Sequence, residues 1–324
     1  MSARVDFRSP EAQRLETPAG TWFILADRKA RVEELPELPV TTPAWERLSA
    51  GFEELSAVFL PRDGRGPLPC QAFRSLFSGY ELFWTRSSGG DLLLTDDFRL
   101  AGKAGGMRKT SVPSLVDYLL FQYPAGNDTF LQGVFRLGPG EALSFHPGEE
   151  GEPKPLQAER LCLPGKVSPA EALEMVREAL SASVERALSG IPDAAVLLSG
   201  GIDSTLISLF GGRRAVALHA AIDCPELAYE EGYAYESCRE LGIPLTRVFF
   251  FEREFLEDLE ETTARLGRPF PVTNFQAVCH NRLFRLPYGL FLSGDSADRL
   301  FGHELEPTGN GNDNPISRLV RYCP

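Results

Sequence analysis

"VLLSGGIDST", Val196 to Thr205, is an apolar run that breaks into two adjacent glycines set among hydroxyls and a carboxylate. The apolar residues Ala194 to Leu198 read as a buried strand, and the residues from Ile202 onward read as a helix. A strand that hands over to a helix through such a loop builds an anion site. Gly200 and Gly201 let the backbone approach a ligand closely, and the unpaired N–H groups at the helix start, with the positive end of its dipole, face that ligand. Ser199 and Ser204 add hydroxyl donors. Asp203 would repel a bare phosphate, so its place in the loop makes sense when it holds a magnesium ion that bridges to a nucleotide. Neither of the other familiar phosphate loops, GxxxxGK[ST] or GxGxxG, is present.

Around this loop, apolar strands alternate with helical stretches. "AVALHAAI", "EEGYAYESCRELG", "LTRVFFF", "EREFLEDLEETTARLG" and "YGLFLSG" follow in turn, which predicts a parallel sheet flanked by helices. Ligands of such sheets sit beyond the carboxyl ends of the strands, where "SGGIDS" and "SGDSAD" both fall. Upstream, Ser168 as N-cap, Pro169 at the first helical position, Glu171 closing a capping box and Gly190 past the last turn define an amphipathic helix. Leu173, Val176, Leu180, Val184 and Leu188 lie near one face of it. Before that helix, from Thr21 to about Leu100, short apolar pieces separated by polar turns predict a β-rich domain. The chain thus divides into 1–165 and 166–324.

A length of 324 residues with 43% hydrophobic content buries a large core. The formal charge of −12 argues against a nucleic-acid partner or an anionic membrane surface, although a local phosphate pocket is compatible with it. The sequence has no long apolar span and no hydrophobic signal core at its N-terminus, which predicts a cytoplasmic protein. Its six cysteines and four histidines are scattered without metal-type spacing, and they read as buried or structural.

The loop "SGGIDS" resembles the pyrophosphate loop of the N-type ATP pyrophosphatases, and the chain is similar to their asparagine synthetase branch, which includes β-lactam synthetases and lasso peptide cyclases. "LSGDSADRLFGHE", Leu292 to Glu304, aligns with that branch's SGEGxDELFGG segment, and "LVDYLLFQYPAGNDTFLQGVFRLGPGEAL" with its connecting segment. The resemblance implies an α/β protein, with a degenerate glutaminase-like α+β domain (1–165) before an asparagine synthetase-like, parallel-sheet ATP-binding domain (166–324). It implies ATP and Mg²⁺ as cofactors. A carboxylate would be activated as an acyl-adenylate, and an amine would then attack it to give an amide. Pyrophosphate would leave into the cradle of Ser199, Gly200, Gly201, Asp203 and Ser204. Backbone around Leu197, Ser293 and Gly294 would hold the adenosine, Asp203 and Asp298 would hold metal, and Asp295 would be catalytic. The partners implied are a small-molecule or peptide carboxylate and an amine donor, with a homodimer or a precursor peptide left open.

The sequence departs from the family in several places. Members that hydrolyse glutamine use an N-terminal cysteine, whereas this chain begins Met1-Ser2-Ala3 and has no cysteine before Cys70, so the first domain is expected to be a silent scaffold. In the second motif Ser296 replaces a glycine and Arg299 reverses a charge; Asp295 stands where asparagine synthetases have glutamate and β-lactam synthetases have tyrosine. The family pattern continues with a lysine-bearing region, so the resemblance leads to the expectation of an N-terminal fragment or truncated product with a weakened activity. The competing expectation is a silent nucleotide-binding or partner-binding protein.

Overall fold

The computed structural model describes residues 3–62, 67–106, 109–146, 153–160, 167–223, 228–270, 275–295 and 297. The chain forms two compact units, Met1–Leu163 with Gly267–Phe270, and Pro164–Leu266 with Pro271–Pro324. The expected boundary at 165/166 lies within 161–166, outside the described residues.

The first unit contains β1 (Ala3–Val5), β2 (Gln13–Glu16), β3 (Gly20–Ala26), α1 (Thr42–Ser49), β4 (Leu55–Pro61), β5 (Cys70–Arg74), β6 (Phe83–Arg86) and β7 (Leu92–Thr95). α2 (Phe98–Ala104), α3 (Val112–Phe121), β8 (Val134–Arg136), β9 (Glu141–Phe145) and β10 (Leu156–Gln157) complete it. A sheet of order β10-β9-β5-β4-β3-β2 and a second of order β1-β7-β6-β8 share a core. In β4 the alternation of side chains serves both faces. Leu55, Ala57 and Phe59 pack with Trp22, Trp45 and Phe73, while Val58 points into the layer containing Trp84, Leu94 and Leu143. β4 is therefore buried almost along its whole length. α1 covers the outer cluster through Trp45, whose ring stacks on Phe73 at 4.8 Å and meets Trp22 edge-on at 5.9 Å. α3 leaves Val112, Leu115, Val116, Leu119, Leu120 and Phe121 exposed.

The second unit contains α4 (Pro169–Leu188), β11 (Ala194–Leu197), α5 (Ile202–Gly211), β12 (Ala215–Ile222), α6 (Ala228–Leu241), β13 (Leu245–Phe250), α7 (Phe255–Leu266), α8 (Phe275–Leu283) and β14 (Leu290–Ser293). The four strands run parallel in the order β13-β12-β11-β14. β11 is central and wholly buried, as a parallel strand covered on both faces must be. The capping box of α4 is present: Glu171 N–H donates to Ser168 Oγ at 3.3 Å, and Glu171 Oε2 accepts from Ser168 N–H at 2.9 Å. Only the C-terminal part of its expected apolar face is buried. Val184 and Leu188 pack on Ala194, Val196 and Ala215, whereas Leu173 stands 71% exposed and takes no part in that cluster. Ser168→Ala removes one side of the capping box and is expected to cost about 1 kcal/mol. Chemical denaturation should read this as a small fall in midpoint with an unchanged slope.

Candidate functional site

The order of the parallel strands locates the site. From β11 the chain passes through α5 to β12 on one side, and after β13 it returns through α7 and α8 to β14 on the other side of β11. The winding reverses there, and a crevice opens beyond the carboxyl ends of β11 and β14. Leu197 is in register with Ser293, so the loop Ser199–Ser204 and the turn Ser293–Asp295 lie side by side.

Two glycines make this approach feasible. Gly200 has φ +91°, and a Cβ there would lie 2.7 Å from Ala234 N and 2.8 Å from Glu230 O. Besides the expected close approach to a ligand, glycine is needed here because Gly200 packs against α6. A Cβ on Gly294 would lie 2.7 Å from Ser204 N and 2.8 Å from the carbonyl carbon of Asp203, so only glycine lets β14 end against the start of α5.

Two hydroxyls brace the loop. Ser199 Oγ and Ser204 Oγ are 3.1 Å apart, Gly201 N–H donates to Ser199 Oγ at 3.3 Å, and Ser204 Oγ donates to the Gly201 carbonyl at 3.2 Å. The hydroxyls expected to reach a ligand thus hold the loop in shape. No side chain caps α5, whose N-cap is Gly201, so its first-turn amides are left for an external acceptor. Asp203 lies in that first turn.

The crevice is a cavity of about 400 Å³ whose wall includes Leu197, Ser199, Gly201, Asp203, Ser204, Ser293, Gly294 and Asp295. That volume suits a small-molecule ligand. Asp298, Ser296 and Arg299 lie outside the described residues. Among the described residues, no three His, Cys, Asp or Glu side chains could together hold a metal ion.

Sequence reasoning missed the opposite wall. α8 contributes Phe275, Gln276, Cys279 and His280, β12 contributes His219, and α6 contributes Glu230. His219, buried, places Nδ1 2.9 Å from the Leu198 carbonyl, which can only accept; Nδ1 therefore carries the hydrogen. Burial pushes the Cys279 thiol up to about 12, with Asp258 acting in the same direction, so it stays protonated. His280 Nδ1 lies 3.3 Å from Asp295 Oδ2. Burial holds the His280 imidazole below its ordinary value, against an upward pull from Asp295. In the first unit Cys70, buried in β5 with its thiol pushed up to about 12 by desolvation, is no nucleophile.

Residues 175–308 match the family model described as Asparagine synthase. That stretch, which falls almost wholly in the second unit, is what the chain has in common with the family. No curated protein matches the chain. A solved structure of glutamine-dependent NAD⁺ synthetase from Acinetobacter baumannii, in complex with adenosine diphosphate, is 16% identical with a TM-score of 0.30. The alignment covers 53% of this chain and 32% of that one, so the chain spans about a third of that protein's length. Among the described residues, no helix is long and apolar enough to cross a membrane.

Proposed function

We propose that the protein is an ATP-dependent carbon–nitrogen ligase that activates a carboxylate as its acyl-adenylate, releases pyrophosphate and passes the acyl group to an amine. The observation that carries this reading is the crevice between β11 and β14, where an uncapped helix start meets a glycine that admits nothing larger. Free amides and a positive dipole end suit the oxygens of a departing pyrophosphate. The loop is already braced by Ser199 and Ser204, so little is lost in ordering it when ligand binds. The backbone at Leu197, Ser293 and Gly294 is the place for the adenosine.

The donor set fits magnesium better than a metal held by protein alone. One carboxylate, Asp203, stands at the phosphate position without a cluster of further ligands among the described residues. Magnesium commonly takes one or two carboxylates together with substrate phosphates and water. Asp203 is its ligand here, with Asp298 as the second; when bound, the ion would offset charge on the leaving pyrophosphate. Asp295 faces the same cavity from the end of β14 and is the group placed to act in the acyl-transfer half of the reaction. The amine donor is a small molecule or an amine carried by a peptide, and ATP chemistry of this kind fits a cytoplasmic enzyme.

The reading is tested by carboxylate-dependent exchange of labelled pyrophosphate into ATP, with the free amino acids and short peptides as the panel. Exchange that appears with one class of carboxylate is the expected result. ATP binding without exchange for any carboxylate would instead favour a nucleotide-binding protein that performs no adenylation.

A further inference from the structure

We propose that His280 and Asp295 act as a pair in which His280 accepts the proton released when the amine attacks the activated acyl group. The inference rests on the ligase reading above and adds to it a residue on α8. His280 Nδ1 is 3.3 Å from Asp295 Oδ2, and both side chains line the cavity that holds the phosphate loop. The separation is longer than a typical N–H···O bond, as is common before a site closes on its substrate. A carboxylate can only accept, so the hydrogen belongs on Nδ1, and Nε2 keeps its lone pair.

The surroundings keep that lone pair available. The Phe284 ring lies 5.8 Å from the imidazole and packs in turn on Phe291, giving that side an apolar neighbour. Nearby carboxylates on α8's other side are otherwise engaged: Glu254, just before α7, and Asp258, within it, bind Arg282 at 2.8 and 3.2 Å. Asp295 is thus the charged group that acts on His280. Desolvation keeps the ring neutral at ordinary pH, as a base must be.

The step balances without a further reactant. The amine nitrogen donates its lone pair to the acyl carbon, forming the C–N bond, and the bond from that carbon to the AMP oxygen breaks with its electron pair going to AMP. The nitrogen, cationic after attack, gives one proton to His280 Nε2, and Asp295 stabilises the resulting imidazolium. This is the base-and-orienter arrangement, with an amine in place of a hydroxyl nucleophile.

The test uses the full chain, wild type and His280→Gln, with the carboxylate that supports pyrophosphate exchange. Amide formation with ammonium or a primary amine should fall about a hundredfold in His280→Gln, while pyrophosphate exchange falls no more than about threefold. Hydroxylamine, a weakly basic nucleophile that needs less help from a base, should still trap the acyl group as hydroxamate in the variant. Equal losses in exchange and amide formation, or no loss in either, would overturn the pair. Wild-type protein that exchanges pyrophosphate with no carboxylate would sink the ligase reading and this inference with it, an outcome distinct from a failure confined to His280→Gln. A second readout needs no turnover: the imidazole NMR titration of His280 should move to lower pH in Asp295→Asn, because the charge that raises it is gone. An unmoved midpoint means the two side chains are not coupled.

Discussion

Gly200→Ala is expected to cost about 4 kcal/mol and to remove nucleotide binding, combining the strain of a side chain at positive φ with the displacement of packed backbone. At φ +91° an alanine Cβ would sit within 3 Å of Ala234 N, Glu230 O and Tyr233 Cβ, and two of those three are main-chain atoms that cannot swing aside. Either α6 moves away from the loop or the loop changes conformation. The first outcome lowers stability and the second spoils the first-turn amides of α5, so calorimetry and ATP binding together catch both. Gly201→Ala is the control. Gly201 has φ −71° and its nearest neighbour to a new Cβ is Ser199 Oγ at 3.4 Å, so that change should cost about 1 kcal/mol or less, the penalty of alanine at an N-cap. Similar losses in both variants would mean that glycine content, and not the conformation of Gly200, governs the loop.

Asp203→Asn is expected to lower carboxylate-dependent pyrophosphate exchange by about a thousandfold, equivalent to about 4 kcal/mol of transition-state stabilisation. Its effect on folding should be far smaller. An acidic residue in the first turn of an exposed helix contributes about 0.3 to 1 kcal/mol through the helix dipole, and asparagine keeps most of the packing. Binding of ATP should weaken strongly with magnesium present and little without it, which separates an ion ligand from a group that only shapes the loop. Parallel losses of stability and binding in magnesium-free buffer would assign Asp203 a structural role.

The second unit was largely legible because buried parallel strands advertise themselves. Ala215–Ile222 forms β12 over the same residues that read as a strand, since an element covered on both faces needs a continuous apolar run. The capping box at Ser168 and Glu171 likewise fixed where α4 begins. Other elements were silent for identifiable reasons. α3 is apolar nearly all round, so it lacks the contrast between faces by which a helix is recognised. α8 has only nine residues, and its apolar positions Phe275, Val278, Cys279 and Leu283 are interrupted by Gln276, His280 and Asn281, too short a pattern to separate from a loop. Missing α8 hid half of the cavity. The phosphate side of the site was local in sequence and could be read directly. The proximity of His280 to Asp295 depends on β14 returning beside β11, a property of the folded sheet that the fourteen intervening residues do not announce.

The central strand of the second unit also divides labour in a way that bears on how such proteins diversify. Ala194 to Leu197 are all buried and hold the sheet together, while the residues of the candidate site begin only two residues later, where the loop leaves the core. Substitutions beyond that point can retune what is bound without disturbing the packing that makes the unit fold. A lineage built on this sheet is therefore free to explore new ligands at small thermodynamic risk. The two positions without that freedom are Gly200 and Gly294, where innovation would have to begin by rebuilding the backbone around them.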